Sequence, residues 1–357
     1  MKLPRITILA TLLLSTPAAA QLQIAPPATT PSAPAEKQKA KPPAPAKKKE
    51  AAPAPKASPS PKPSPSPKPA TVIPAPLADN PNVDLVYGAY QRGQYKTAFE
   101  LASARAQAGD PKAMTMLGEL YSNAMGIRRD YGKAAEWYKR AADAGDREAM
   151  FALAMLRISG RGGSVDKGEA VKLMASAAKL GEPKAAYNLA LLYLDGQTLP
   201  QDVKRSAELL RQAADAGLPE AQYALATFYK EGTGVPKDPE RSVRLLQAAS
   251  LADNVDAEVE YAIALFNGTG TPKNHPAAVA LLRKASRQGS AIAQNRLAWV
   301  LINGMGTAVD KVEGFKWHLV AKTAGKGDPE LDKQLSDLPA EDRAKAEAAA
   351  KKWLGTK

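Results

Sequence analysis

A pattern that returns every 36 residues constrains this chain more than any other feature. Alanine recurs at Ala113, Ala149, Ala185, Ala221, Ala257 and Ala293. Four residues later stand Leu117, Leu153, Leu189, Leu225, Tyr261 and Leu297, each followed by a small residue: Gly118, Ala154, Ala190, Ala226, Ala262 and Ala298. A mid-unit glycine comes next at Gly160, Gly196, Gly232, Gly268 and Gly304. An acid or amide follows at Asp130, Asp166, Asp202, Asp238, Asn274 and Asp310, then a second alanine at Ala141, Ala177, Ala213, Ala249, Ala285 and Ala321. Self-similarity in register, with no internal gap, identifies a repeat architecture and precedes every other reading.

Each column has a physical role. Counted from the first alanine as offset 0, apolar residues at offsets 0, 4, 7 and 8 share one side of a helix. The Gly/Ala column admits a second helix at close range. Glycines at offsets 11 and 13 are expected to end the first helix with left-handed turn conformations. The Asp/Asn column predicts an N-cap ahead of the second apolar run. Such a hairpin cannot bury its apolar side alone, so the units must stack. The expected fold is all-α, a right-handed α-solenoid of helix–turn–helix repeats with a 36-residue period.

These residues carry a family resemblance. Leu117, Gly118, Tyr121, Trp137 and Tyr138 in one unit, and Tyr229 with GTGVPKD in another, resemble the Sel-1-like repeat, a longer-looped relative of the tetratricopeptide repeat. The likeness runs from about Pro81 to Gly325. It departs where Arg157, Leu265 and Leu301 replace tyrosine, Thr198 replaces a loop glycine, and Ser242 and Ser250 replace alanine. The resemblance implies a protein-interaction scaffold and leaves the partner unnamed.

The ends of the chain read differently. Residues 1–20 combine Lys2 and Arg5, a short apolar run and Ala18-Ala19-Ala20, the form of a secretory signal cleaved before Gln21. An uncleaved anchor is the competing reading, but the run falls short of the roughly 18–20 residues a spanning helix needs. Residues 21–80 hold 17 prolines and nine lysines against Glu36, Glu50 and Asp79. A segment of that composition cannot bury a core and is expected to be a disordered, polyproline-like Pro/Ala/Lys-rich tether. It contributes +6 of the net +13. Residues 81–338 would form about seven repeats, the first a shortened hairpin turning at Gly93. Residues 339–357 would form a C-terminal capping helix and tail, docked through Trp353 and Leu354. The chain has no cysteine, so stability rests on stacking rather than disulfides.

Chemistry-bearing constellations are sparse. His275 follows a cap position and His318 occupies a packing column; neither has a regularly spaced metal partner. The G-x-G pairs lack phosphate-loop spacing and follow no predicted strand. No nucleophile–base set is present, and no catalytic, cofactor or metal residue is assigned. The expected binding surface is a row on the first helices, which line the concave side of helix-pair stacks. Its candidate partner-binding residues are Phe151, Met155, Tyr187, Asn188, Leu191, Tyr223, Thr227, Glu260, Arg296 and Trp299. Packing of one repeat on the next is the competing use of that row.

The functional expectation is a noncatalytic scaffold or adaptor of the bacterial cell envelope, holding a segment of an envelope protein. The form of the signal and a cysteine-free exported solenoid together suggest a Gram-negative periplasm first and secretion second, and export argues against nucleic acid as partner. An alternative is a cell-wall-associated protein whose basic tether contacts anionic wall polymers or membrane headgroups. A penicillin-binding or penicillin-hydrolysing enzyme ranks lower, because the cysteines of such family members are missing here.

Overall fold

The computed structural model describes residues 84–355; the readings for 1–20 and 21–80 lie outside them. The described residues belong to one compact unit that begins at Asn82. They form sixteen helices and no strand. The short α1 (Leu85–Gln91) and α2 (Tyr95–Gln107) make the expected first hairpin, turned at Gly93 with φ +72°. Twelve helices of identical length follow as six pairs: α3 (Pro111–Asn123) and α4 (Tyr131–Asp143), α5 (Arg147–Ser159) and α6 (Lys167–Lys179), α7 (Pro183–Asp195) and α8 (Val203–Asp215). The others are α9 (Pro219–Glu231) and α10 (Pro239–Leu251), α11 (Val255–Asn267) and α12 (His275–Arg287), α13 (Ala291–Asn303) and α14 (Lys311–Thr323). Two 13-residue helices, a seven-residue loop and a three-residue turn account for the 36-residue period. Each helix packs chiefly on its neighbours in sequence, as a solenoid requires.

Every member of the Asp/Asn column caps a second helix: the side chains of Asp130, Asp166, Asp202, Asp238, Asn274 and Asp310 each accept from a backbone N–H three residues on, at 2.8–3.1 Å. The cap's own N–H closes the seven-residue loop on the first helix, as in Asp238 N to Tyr229 O at 2.9 Å. A second set of caps was not anticipated. Asp110, Asp146, Glu182, Asn254 and Ser290 cap the first helices, whereas Leu218 offers no side-chain bond. Both alanine columns are buried, with at most 2% of any residue exposed. The small column is size-matched across the hairpin. A Cβ on Gly118 would sit 2.5 Å from the Tyr138 ring, and repeats with alanine there oppose it with Met174, Leu210, Leu246, Leu282 or His318.

The helix-ending glycines adopt the expected left-handed backbone, and so do two residues that replace them. Ala124 (φ +57°) and Asp253 (φ +59°) are the only non-glycine residues with positive φ among those described. The stack imposes this conformation against the steric preference of an L-residue, which costs about 1–2 kcal/mol. Ala124→Gly is therefore expected to raise stability by roughly 1 kcal/mol, read as a higher urea midpoint at unchanged slope. An unchanged or lowered midpoint would mean that the loop absorbs the strain.

The carboxyl end holds one element the repeat pattern missed. After Pro329 breaks the alanine column, a short α15 (Pro329–Ser336) precedes α16 (Ala340–Gly355). Helix α16 packs on α14, with Trp353 edge-on to the buried Trp317 at a centroid distance of 5.1 Å. The cap expectation needs correction at Leu354, which is 41% exposed: it lies one position past Trp353, about 100° around the helix. Among the described residues no helix is long and apolar enough to cross a membrane.

Candidate functional site

The row of candidate residues runs along the first helices α5, α7, α9, α11 and α13. These helices are joined along the stack by side chains from successive repeats. Tyr90 donates to Glu119 at 2.7 Å, Lys112 pairs with Asp146 at 2.9 Å, and Lys230 pairs with Glu260 at 2.7 Å. At the carboxyl end Trp299 Nε1 donates to Asp328 at 2.9 Å. Two of these ties engage members of the row, Glu260 and Trp299.

All ten candidate residues are half-buried. Phe151, Met155 and Tyr187 lean on the apolar core of α5–α9, Tyr223 on a smaller cluster with Leu246, and Trp299 on the core of α11–α16. Packing between repeats thus takes part of each side chain and solvent keeps the rest, a division typical of amphipathic rings. Asn188 bonds back to its own helix at Lys184 O, 2.8 Å away, and Thr227 to Tyr223 O, 3.2 Å away.

Charge around the row is uneven. Burial pushes the Tyr223 hydroxyl well above the ordinary phenol range, and Glu260, Asp256 and Glu231 push it further. Burial, then Glu220, does the same at Tyr187. Both phenols therefore stay neutral and available as hydrogen-bond donors at physiological pH. Arg296 is the opposite case. Burial draws its guanidinium below the usual range, with only Glu260 opposing, and its covered Nε has no partner.

Two histidines were read as structural, and their surroundings are packed. The His275 ring stacks on Phe266 at 4.3 Å, while His318 is fully buried and lies 2.8 Å from Asp332 through Nε2. Among the described residues no group of three His, Cys, Asp or Glu is placed to hold a metal ion. Two surface depressions occur away from the row: one of about 550 Å³ beside Arg244, Tyr261 and Gly270, and one of about 480 Å³ beside Tyr121, Arg128 and Lys133. Sequence reasoning named neither, because each forms between a mid-repeat loop and the helices beside it. The contribution of Tyr90 was also missed, since it belongs to the shortened hairpin, outside the 36-residue register.

Stacked helical hairpins with a half-buried, partly aromatic row along their first helices define a repeat scaffold of the kind suited to protein–protein interaction. The model for the Sel1 repeat matches six consecutive segments, 111–146, 147–182, 183–218, 219–254, 255–290 and 291–326. The chain belongs to the Sel1 repeat family, whose members are typically noncatalytic scaffolds. Among solved structures it is similar to a Sel1 repeat protein from Oxalobacter formigenes: 27% identity, a TM-score of 0.60, and coverage of 67% of this chain and 98% of that one. It is also similar in fold to c5321, a protective antigen of uropathogenic Escherichia coli strains displaying an SLR fold. That match has 23% identity and a TM-score of 0.51, covering 72% of this chain and 64% of that one. No curated protein matches.

Proposed function

We propose that this protein is a noncatalytic adaptor that holds an extended segment of a partner protein across its first helices. The observation that carries this reading is the row itself. Phe151, Met155, Tyr187, Tyr223 and Trp299 recur at one face and keep part of their surface exposed after stacking. Partly exposed aromatics rimmed by polar groups suit recognition. Export to the cell envelope, with an envelope protein as partner, rests on the character of residues 1–20, and wall contact on the lysines of 21–80.

The test is site-specific photo-crosslinking in cells, with the probe at Tyr223 and a comparison probe at Arg244 on the second helix α10. A discrete protein adduct at Tyr223, and none at Arg244, is expected. Labelling at Arg244 alone would move the function to the depression beside α10 and sink the first-helix assignment.

A further inference from the structure

From the surroundings of Arg296 we infer that this residue is the anchor for an aspartate or glutamate side chain of the partner segment. The inference rests on the adaptor reading above. Arg296 makes no hydrogen bond or ion pair with any described residue, although its Nε is covered from solvent. That Nε has lost water without gaining an acceptor, a costly state that folded proteins avoid unless something else supplies the partner. Half-buried Arg157 and Arg283, by contrast, each reach a glutamate at 2.7 Å.

Two carboxylates along the row bond to other groups. Glu260 on α11 is drawn to Lys230 on α9 at 2.7 Å. Asp328, which the neighbouring Trp299 reaches, spends one oxygen on that indole and the other on the backbone N–H groups of Glu330 and Leu331. Neither acid forms an ion pair with Arg296, and Glu260 acts on it only through its charge. Guanidinium geometry favours a planar carboxylate bound through two N–H donors. From Arg296 the row passes on to Glu260 and Tyr223 on the preceding first helices, and a segment lying along it presents side chains to each position.

The experiment uses the full chain carrying the Tyr223 photo-probe, with Arg296 intact or changed to Met, Lys or Glu. The adduct is expected to fall about tenfold or more in Arg296→Met, as for loss of one partner of a desolvated charge pair, and less in Arg296→Lys. Arg296→Glu should abolish it, and changing the acid in the captured segment to lysine should restore it. Thermal unfolding separates binding from folding. Removing an unpaired charge should leave the Arg296→Met midpoint unchanged or about 2 °C higher. An adduct that survives Arg296→Met overturns the anchor while the adaptor stands, as does a midpoint lowered by several degrees. An adduct mapping to residues 21–80 of the same chain overturns the partner assignment, and no adduct at Tyr223 in the unmodified protein removes both readings.

Discussion

Replacing Gly270 with alanine is expected to destabilise the protein by about 2–4 kcal/mol, far more than a loop substitution usually does. Gly270 sits at φ +69°, and a Cβ there would lie 2.2 Å from the carbonyl oxygen of Pro239, the first residue of α10 in the preceding repeat. The left-handed backbone alone costs about 1–2 kcal/mol for an L-residue, and the overlap forces a backbone shift of similar cost. The contact recurs at Gly162 with Tyr131 O (2.2 Å) and at Gly234 with Val203 O (2.5 Å), so these loops latch each repeat onto the one before. Gly217 provides the control: its φ is +85°, but an added Cβ meets nothing within 4 Å. Urea denaturation should show Gly217→Ala losing only the backbone share. Hydrogen exchange in Gly270→Ala should quicken across α10–α12 first, because stability in a solenoid is local to neighbouring units. Equal losses in the two variants would defeat the latch.

Phe315→Ala should cost about 3–5 kcal/mol. Phe315 is 1% exposed in α14, within an apolar cluster that includes Leu297 and Leu301 of α13, Leu331 of α15 and Ala346 of α16. The substitution leaves a cavity that these helices cannot close without breaking their own packing. The loss should therefore be felt first at the carboxyl end. Exchange protection of α13–α16 is expected to fall below that of α3–α8, and a near-ultraviolet signal from Trp317 and Trp353 should melt early. Uniform loss along the stack would mean that the repeats unfold as one cooperative block.

The two expectations differ in how far the sequence disclosed them. Phe315 lies in a second-helix apolar run, and its burial follows from the helical period. The latch does not. The glycines at Gly162, Gly234, Gly270 and Gly306 read from sequence as local turn formers, and they are that, but the backbone they touch lies about 31 residues earlier. Thr198 stands in the same column in the third repeat, a departure that the sequence showed without showing what it touches. The candidate row divides in the same way. Periodicity put Tyr187, Tyr223, Arg296 and Trp299 on one side of the first helices, yet it could not decide how much of each ring stacking would consume.

What the sequence by itself determined is the repeat: two helices per 36 residues, the caps that start the second helices, the left-handed stops and the buried alanine columns. These rest on interactions within a few residues, which a local pattern encodes. Only the tertiary structure decided the Gly270–Pro239 contact, the short α15, the exposure of Leu354 and the unpartnered Nε of Arg296. Each of these depends on which atoms of neighbouring repeats meet, and one-dimensional periodicity does not contain that distance.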